Sequence, residues 1–178
     1  MAEHPQLADP AAPGDEPPLH DADGAVNPEF VAHVADAVSA ERAEVVRDLV
    51  GGLHEADLGN LIEALEPDLR PRLVELAGAD FDFSALTEVD DTVREEILEE
   101  LTPQTVAEGV RELETDDAVE LLQDLPEEEQ AEILDRLPVA ERATLEHILD
   151  YPEESAARRM QTEFIAVPPS WTVGRTID

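Results

Sequence analysis

The sequence is first defined by what it lacks. Among its 178 residues there is no cysteine, which excludes a disulfide framework, a thiolate metal site and a cysteine nucleophile. Aromatic residues make up only 3% of the chain, so any interior must be built from Leu, Val, Ile and Ala. No apolar run approaches the roughly 20 residues of a membrane-spanning helix, and the acidic N-terminus does not have the pattern of a signal peptide. The sequence therefore predicts a soluble, cytoplasmic protein.

Lysine is also absent, and the charge is strongly one-sided. Forty-five Asp and Glu residues face eleven arginines, for a formal net charge of -34. Nucleic acid is excluded as a partner because phosphate binding needs clustered basic residues. Three compatible interpretations of the acidity stay open. The acids form a solvated surface, as in salt-adapted or high-GC organisms, or they dock a basic partner, or they bind hard divalent cations through carboxylate oxygens.

The dominant pattern is an apolar residue, usually leucine, that recurs every twelve residues. One series comprises Leu53, Leu65, Ala77, Val89, Leu101, Leu113, Leu125, Leu137 and Leu149. A second series lies three residues earlier and comprises Val50, Ile62, Val74, Leu86, Leu98, Val110, Leu122 and Leu134. Twelve residues accommodate a short helix and its connecting turn, and a fixed period is typical of stacked repeats. The sequence therefore predicts an all-α, solenoid-like superhelix of about ten short helices.

The chain divides into three segments. Residues 1–26 are rich in Pro, Ala and Asp and show no period, so we expect a disordered acidic tail. Residues 27–157 hold the helices, which begin at Asn27-Pro28-Glu29 with a capping Asn and a Pro at the first helical position. Residues 158–178 contain short β-like apolar runs around Pro168-Pro169. A strand without a partner predicts that the chain ends just inside a second, β-containing domain.

The twelve-residue period is interrupted at residues 78–84, GADFDFS. We expect a loop or short turn there, with Phe81 and Phe83 packed against the helical stack. Further helices are predicted after this interruption from their caps, prolines and early acidic residues, at about 90–101, 103–113, 116–125, 127–137 and 139–149.

Several segments resemble the MgtE family of magnesium transporters. They are TDDAVELL at 115–122, LPEEEQAEILDRLP at 125–138, YPEESAARRM at 151–160 and TEFIAVPPSWTV at 162–173. The resemblance implies that residues 27–157 form the cytosolic N-terminal superhelix of such a transporter. It also implies that residues 158–178 are the first, incomplete part of a CBS domain. In this family a CBS pair, a connecting helix and a homodimeric membrane pore follow.

The resemblance implies a regulatory function and not an enzymatic one. In this family Mg²⁺ binds between the acidic N-terminal domain and the CBS domains, draws them together and closes the pore. When Mg²⁺ falls, the acidic surfaces repel each other and the pore can open. Because Mg²⁺ keeps much of its hydration and is usually held by one or two carboxylates, such a sensor is weak and graded. The implied partners are the CBS domains and pore of the same homodimeric transporter.

The resemblance also suggests metal-binding residues. The family's metal-contacting acids match the helix start at residues 115–120, which suggests Asp116 and, four residues later on the same helix face, Glu120. The neighbouring Asp117 is expected to point elsewhere. A further acid of the family maps to residues 80–82, which suggests Asp80 and Asp82. The alternative is that Asp116 only favours the positive helix N-terminus and that the other three are solvated acids.

A second function stays open, namely a helical protein-interaction domain without metal sensing, similar to the flagellar motor switch protein. The segment 151–173 favours the transporter family because a motor switch protein would not contain it. Arg158-Arg159 is the one basic pair of neighbours, and it either clamps an acidic surface across the domain junction or is a simple surface pair. An enzyme is not expected, because the five histidines lack metal-ligand spacing and no serine has a nearby His and acid pattern.

Overall fold

The computed structural model describes residues 17–123, 125–152, 155–160, 167–168, 171–172 and 174. Within these residues the chain is all-α, as the sequence predicts, and no strand is formed. The helices are α1 (Pro28–Ser39), α2 (Ala43–Val50), α3 (Glu55–Ala64), α4 (Arg70–Ala77), α5 (Asp91–Glu100), α6 (Pro103–Val110), α7 (Thr115–Gln123), α8 (Glu127–Leu134) and α9 (Val139–Leu149). Short 3₁₀ turns cover Pro67–Leu69, Gly78–Asp80, Phe83–Leu86 and Ala156–Arg159. The predicted β-like runs lie largely outside the described residues.

The two apolar series have a structural cause. Each second-series residue lies at or near the end of a helix or 3₁₀ turn, and all eight are buried. The backbone N–H of Leu53 donates to the carbonyl of Val50, over 3.1 Å. The same bond joins Leu65 to Ile62, Leu113 to Val110, Leu125 to Leu122 and Leu137 to Leu134, over 3.1–3.3 Å. Such an i→i−3 bond tightens the last turn of a helix, so in these five repeats the three-residue offset between the two series corresponds to a closing turn at the helix end.

Helices two positions apart in the chain pack against each other. Helix α2 packs on α4, α6 on α8, and α7 on α9, while neighbours such as α1 and α2 also touch. A single apolar cluster runs from Phe30 to Ile148 through this stack. Since each buried Leu or Val contributes roughly 1.5–3 kcal/mol, the short helices are held by stacking and not by their own helix propensity.

The interruption at residues 78–84 packs between helices. Phe81 and Phe83 are buried, as predicted, and their rings meet edge to face with centroids 5.3 Å apart. A Cβ atom at Gly109 of α6 would lie 2.3 Å from the Phe83 ring, so Gly109 lets α6 approach this segment closely. A Cβ atom at Gly59 of α3 would lie 2.9 Å from the Cβ atom of Glu88 and 3.3 Å from the carbonyl of Ala85, so Gly59 lets α3 pack on the turn Phe83–Leu86.

Two arginines cap helix ends from inside the stack. Arg70 donates through Nε to the carbonyls of Ile62, over 3.1 Å, and Leu65, over 3.2 Å, at the end of α3. Arg158 is buried and donates through Nη1 to the carbonyl of Leu149 and, over 2.9 Å, to that of Tyr151. These carbonyls lie in or just beyond the last turn of a helix, where few intrahelical donors remain. Arg158 is thus an internal contact of the helical domain and not a surface residue.

Residues 17–26, which the sequence assigns to the disordered tail, form a defined turn. The backbone N–H of Asn27 donates to the carbonyl of Leu19 over 2.8 Å, and Leu19 packs on the core. His20 Nε2 lies 3.0 Å from Asp57 Oδ1 on α3. The Asn27 side chain caps α1 by accepting from the N–H of Glu29 over 3.0 Å, as predicted. Residues 1–16 lie outside the described part of the chain.

Candidate metal centre

Three carboxylates meet at the start of α7. Glu114, Asp116 and Asp117 each place an oxygen so that the three oxygens lie within 4.8 Å of one another. The inward side of this turn is fixed by Thr115 and Ala118, which are both buried. Acidic side chains are favoured here because the first turn of a helix carries a partial positive charge. The local sequence therefore gathers three anionic groups on a fixed backbone.

One oxygen in this cluster has no hydrogen-bond partner. Asp116 Oδ1 is buried, and no donor of the described residues reaches it. Buried polar atoms are almost always paired with protein, water or an ion, because an unpaired one costs free energy. Within the described part of the chain, Asp116 therefore presents an acceptor that a water molecule or a cation could use.

Ionisation of Asp117 is disfavoured by its surroundings. The pKa of Asp117 is raised from its ordinary value of 3.8, chiefly because burial penalises the charged carboxylate. Repulsion from Asp116, Glu114, Glu120 and Glu55 raises it further. A bound cation would act in the opposite direction, since its charge stabilises the ionised carboxylates. The surroundings of Asp117 therefore make its charged form less favourable than that of an ordinary aspartate.

Glu120 is engaged differently from the sequence-based expectation. Its Oε1 accepts from Arg94 Nη1 over 3.2 Å, and Arg94 is almost fully buried. Because Arg94 lies on α5, this ion pair links α5 to α7. Arg94 also donates through Nη2 to Asp91 Oδ1 of its own helix over 2.7 Å. The structure thus groups Asp116 with Glu114 and with Asp117, the residue expected to point elsewhere, while Glu120 takes part in an interhelical ion pair.

Asp80 and Asp82 lie outside this cluster. Asp80 is exposed at the end of the turn Gly78–Asp80. Asp82 caps the next turn, where its Oδ1 accepts from the backbone N–H of Ser84 over 3.0 Å and from the Ser84 hydroxyl. Among the described residues, neither belongs to a group of three clustered carboxylates. Asp82 therefore has a local structural role.

The donor set suits a hard divalent cation. Carboxylate oxygens are the ligands that Mg²⁺ and Ca²⁺ prefer, and Mg²⁺ in particular keeps several waters and needs only one or two carboxylates. Asp116 and Asp117 are half-buried and Glu114 is exposed, so the cluster lies at the surface of the domain. Sequence reasoning did not include Glu114 and Asp117 in this cluster, although the run Glu-Thr-Asp-Asp places them next to Asp116.

Comparisons with known proteins agree with the fold. A solved structure described as "Crystal structure of the soluble part of a magnesium transporter" is similar with a TM-score of 0.65 and 24% identity. The likeness covers 76% of this chain and 54% of that one, so this chain spans about half of its length and shares its fold. No curated protein matched the sequence. In the described residues, no helix is long and apolar enough to cross a membrane.

Residues 53–154, more than half of the chain, match the family of the MgtE intracellular N domain. This segment runs from the turn before α3 to just beyond α9 and includes the whole carboxylate cluster. The chain therefore belongs to the family of the MgtE intracellular N domain.

Proposed function

We propose that this chain is the magnesium-sensing regulatory domain of an MgtE-type magnesium transporter, on the cytosolic side of the membrane. Family membership supports the regulatory role. The proposal that this domain binds Mg²⁺ rests on the buried, unpartnered oxygen of Asp116 inside a group of three carboxylates. In this proposal Glu114, Asp116 and Asp117 hold a hydrated Mg²⁺ weakly, partly through its water shell.

The proposed mechanism follows from charge. At a net charge of -34, this domain repels any other acidic surface, and a divalent ion between two such surfaces offsets the repulsion. The partners are the CBS domains and the pore of the same homodimeric transporter. With Mg²⁺ bound, the domains close together and the pore is shut; without it, they separate. Glu120, Asp80 and Asp82 stay candidate ligands for ions shared with those partner domains.

Protons compete with the ion in this proposal. The raised pKa of Asp117 means that its carboxylate takes up a proton more readily than an ordinary aspartate. A ligand carboxylate must be deprotonated to bind a cation. When the pH is near or below the pKa of Asp117, Mg²⁺ must therefore displace its proton. The apparent affinity for Mg²⁺ is therefore expected to weaken on acidification.

The test is a thermal melt at increasing Mg²⁺ in about 1 M NaCl. At this ionic strength the Debye length is about 3 Å, so the surface charges are already screened and added Mg²⁺ has little further screening effect. For a dissociation constant of about 2 mM, about 20 mM Mg²⁺ stabilises the folded state by about 1.4 kcal/mol. That corresponds to a rise in Tm of about 3–6 °C.

Variants locate the effect. Asp116→Asn should abolish the saturable rise in Tm, whereas Glu127→Gln, which removes the same charge from an exposed position at the start of α8, should keep it. An Asp116→Asn protein that responds like the parent would contradict the site. A parent protein whose Tm rises without saturation would show that Mg²⁺ only screens the surface.

A further inference from the structure

A groove of about 340 Å³ lies between the end of α6, the start of α7 and the first half of α9. Its floor is apolar and consists of Val110, Leu113, Ala118, Leu137 and Leu145. One wall is formed by Ala140 and Thr144, one helical turn apart on α9, and both are exposed. The groove therefore presents core side chains to the outside at one place on the superhelix.

The rim of the groove, taken as the residues next to its lining in the sequence, includes exposed acidic residues. Arg111 lines the groove, but its Nε donates to Glu141 Oε2 over 3.3 Å, so that its charge is matched within the protein. Glu112 and Glu114, which flank the lining residue Leu113 in sequence, are exposed. At the first residue of α9, Val139 is 74% exposed, more than any other large apolar residue of the described chain. Apolar and acidic surface thus adjoin here.

We propose that this groove docks one large apolar side chain that is carried by a positively charged peptide segment of a partner protein. The volume lies at the low end of the range of about 300–1,000 Å³ for ligand pockets, which fits a single aliphatic or aromatic anchor. Anchors of this kind supply most of the energy of many interfaces, while the charged rim selects the partner.

Charge decides the class of occupant. A second copy of this chain would bring another net charge of -34 against an acidic rim, and like charges across an interface oppose association. A basic segment is attracted by the negative potential of this chain, and this attraction speeds its association and orients it. Docking in the groove needs no metal ion. Because Glu114 belongs both to the rim and to the carboxylate cluster, the test below is made in EDTA, where docking is measured apart from Mg²⁺ binding.

The test uses two labelled nine-residue peptides in EDTA, each with arginines on both sides of a central residue. The central residue is leucine in one peptide and alanine in the other, and binding to the full chain is followed by fluorescence anisotropy. Because the groove would cover most of a leucine side chain, the leucine peptide should bind at least about tenfold more tightly than the alanine peptide. Added salt should weaken both peptides.

Filling the groove provides the structural control. Ala140→Trp should remove the tenfold preference for leucine, and Thr144→Trp should do the same. Ala143→Trp, on the same helix and exposed but outside the lining, should keep it. All three positions are exposed, so the variants should melt like the parent.

Three results would overturn the proposal. Equal affinity of the two peptides would show that only surface charge binds them. An unchanged leucine preference in Ala140→Trp would place the anchor elsewhere. Self-association of the parent chain in analytical ultracentrifugation, lost in Ala140→Trp but kept in Ala143→Trp, would assign the groove to a second copy of this chain.

Discussion

Gly109→Ala should destabilise the protein, although alanine is the better helix former. By helix propensity alone, replacing Gly with Ala inside a helix raises the free energy of unfolding by roughly 1 kcal/mol. At Gly109, however, the new Cβ would lie 2.3–2.4 Å from three atoms of the Phe83 ring. Overpacking of this kind costs about 1–3 kcal/mol, occasionally more, and Phe83 is only 5% exposed, with its ring against Phe81. Because the overlap is with a buried ring, its cost should lie in the upper part of this range, about 2–3 kcal/mol. It should therefore exceed the propensity gain and lower the free energy of unfolding by about 1–2 kcal/mol.

Urea denaturation of four proteins tests this reasoning: the parent, Gly109→Ala, Phe83→Leu and the double variant. If the penalty comes from the ring, Gly109→Ala should cost much less in the Phe83→Leu background than in the parent, which is a coupling between the two sites. Equal or higher stability of Gly109→Ala in the parent background would refute the argument. It would mean that the Phe83 ring moves aside without cost.

Three further changes follow from the structure. Leu122→Ala should lower the free energy of unfolding by about 2–5 kcal/mol in urea melts, since Leu122 is fully buried. Arg70→Lys should lower it by about 1–3 kcal/mol, because an ammonium group cannot reach all the carbonyls that the guanidinium caps at the end of α3; a Lys variant as stable as the parent would contradict this. Without divalent ions, Asp117→Asn should stabilise the protein at neutral pH. That gain should disappear as the pH falls through the raised pKa of Asp117 towards 3.8, because the parent then becomes neutral as well; a pH-independent difference would contradict it.

The helical stack could be predicted from sequence because its determinants are local. The twelve-residue period records one helix and one closing turn, and caps such as Asn27 bond within two or three residues. The contacts that were not predicted join distant segments. Gly109 meets Phe83, and Arg158 caps the helix that ends nine residues earlier. Neither contact corresponds to a periodic pattern in the sequence.

The site was only partly predictable for the same reason. Helix periodicity places Asp116 and Glu120 on one face, but Arg94, 26 residues away, pairs with Glu120. Local spacing carries no information about that partner. Glu114 precedes the first residue of α7, so reasoning about helix faces does not include it. Asp117 joins the cluster through the geometry of the first turn, where neighbouring side chains converge on the helix end.

The most direct test of magnesium binding is a ¹H–¹⁵N NMR titration of the chain with Mg²⁺ in about 1 M NaCl, where long-range charge effects are screened. The account predicts saturable shifts of the backbone amides of Glu114, Thr115, Asp116 and Asp117, and their loss in Asp116→Asn. Small, unsaturated shifts spread over the acidic surface, equal in parent and variant, would contradict it.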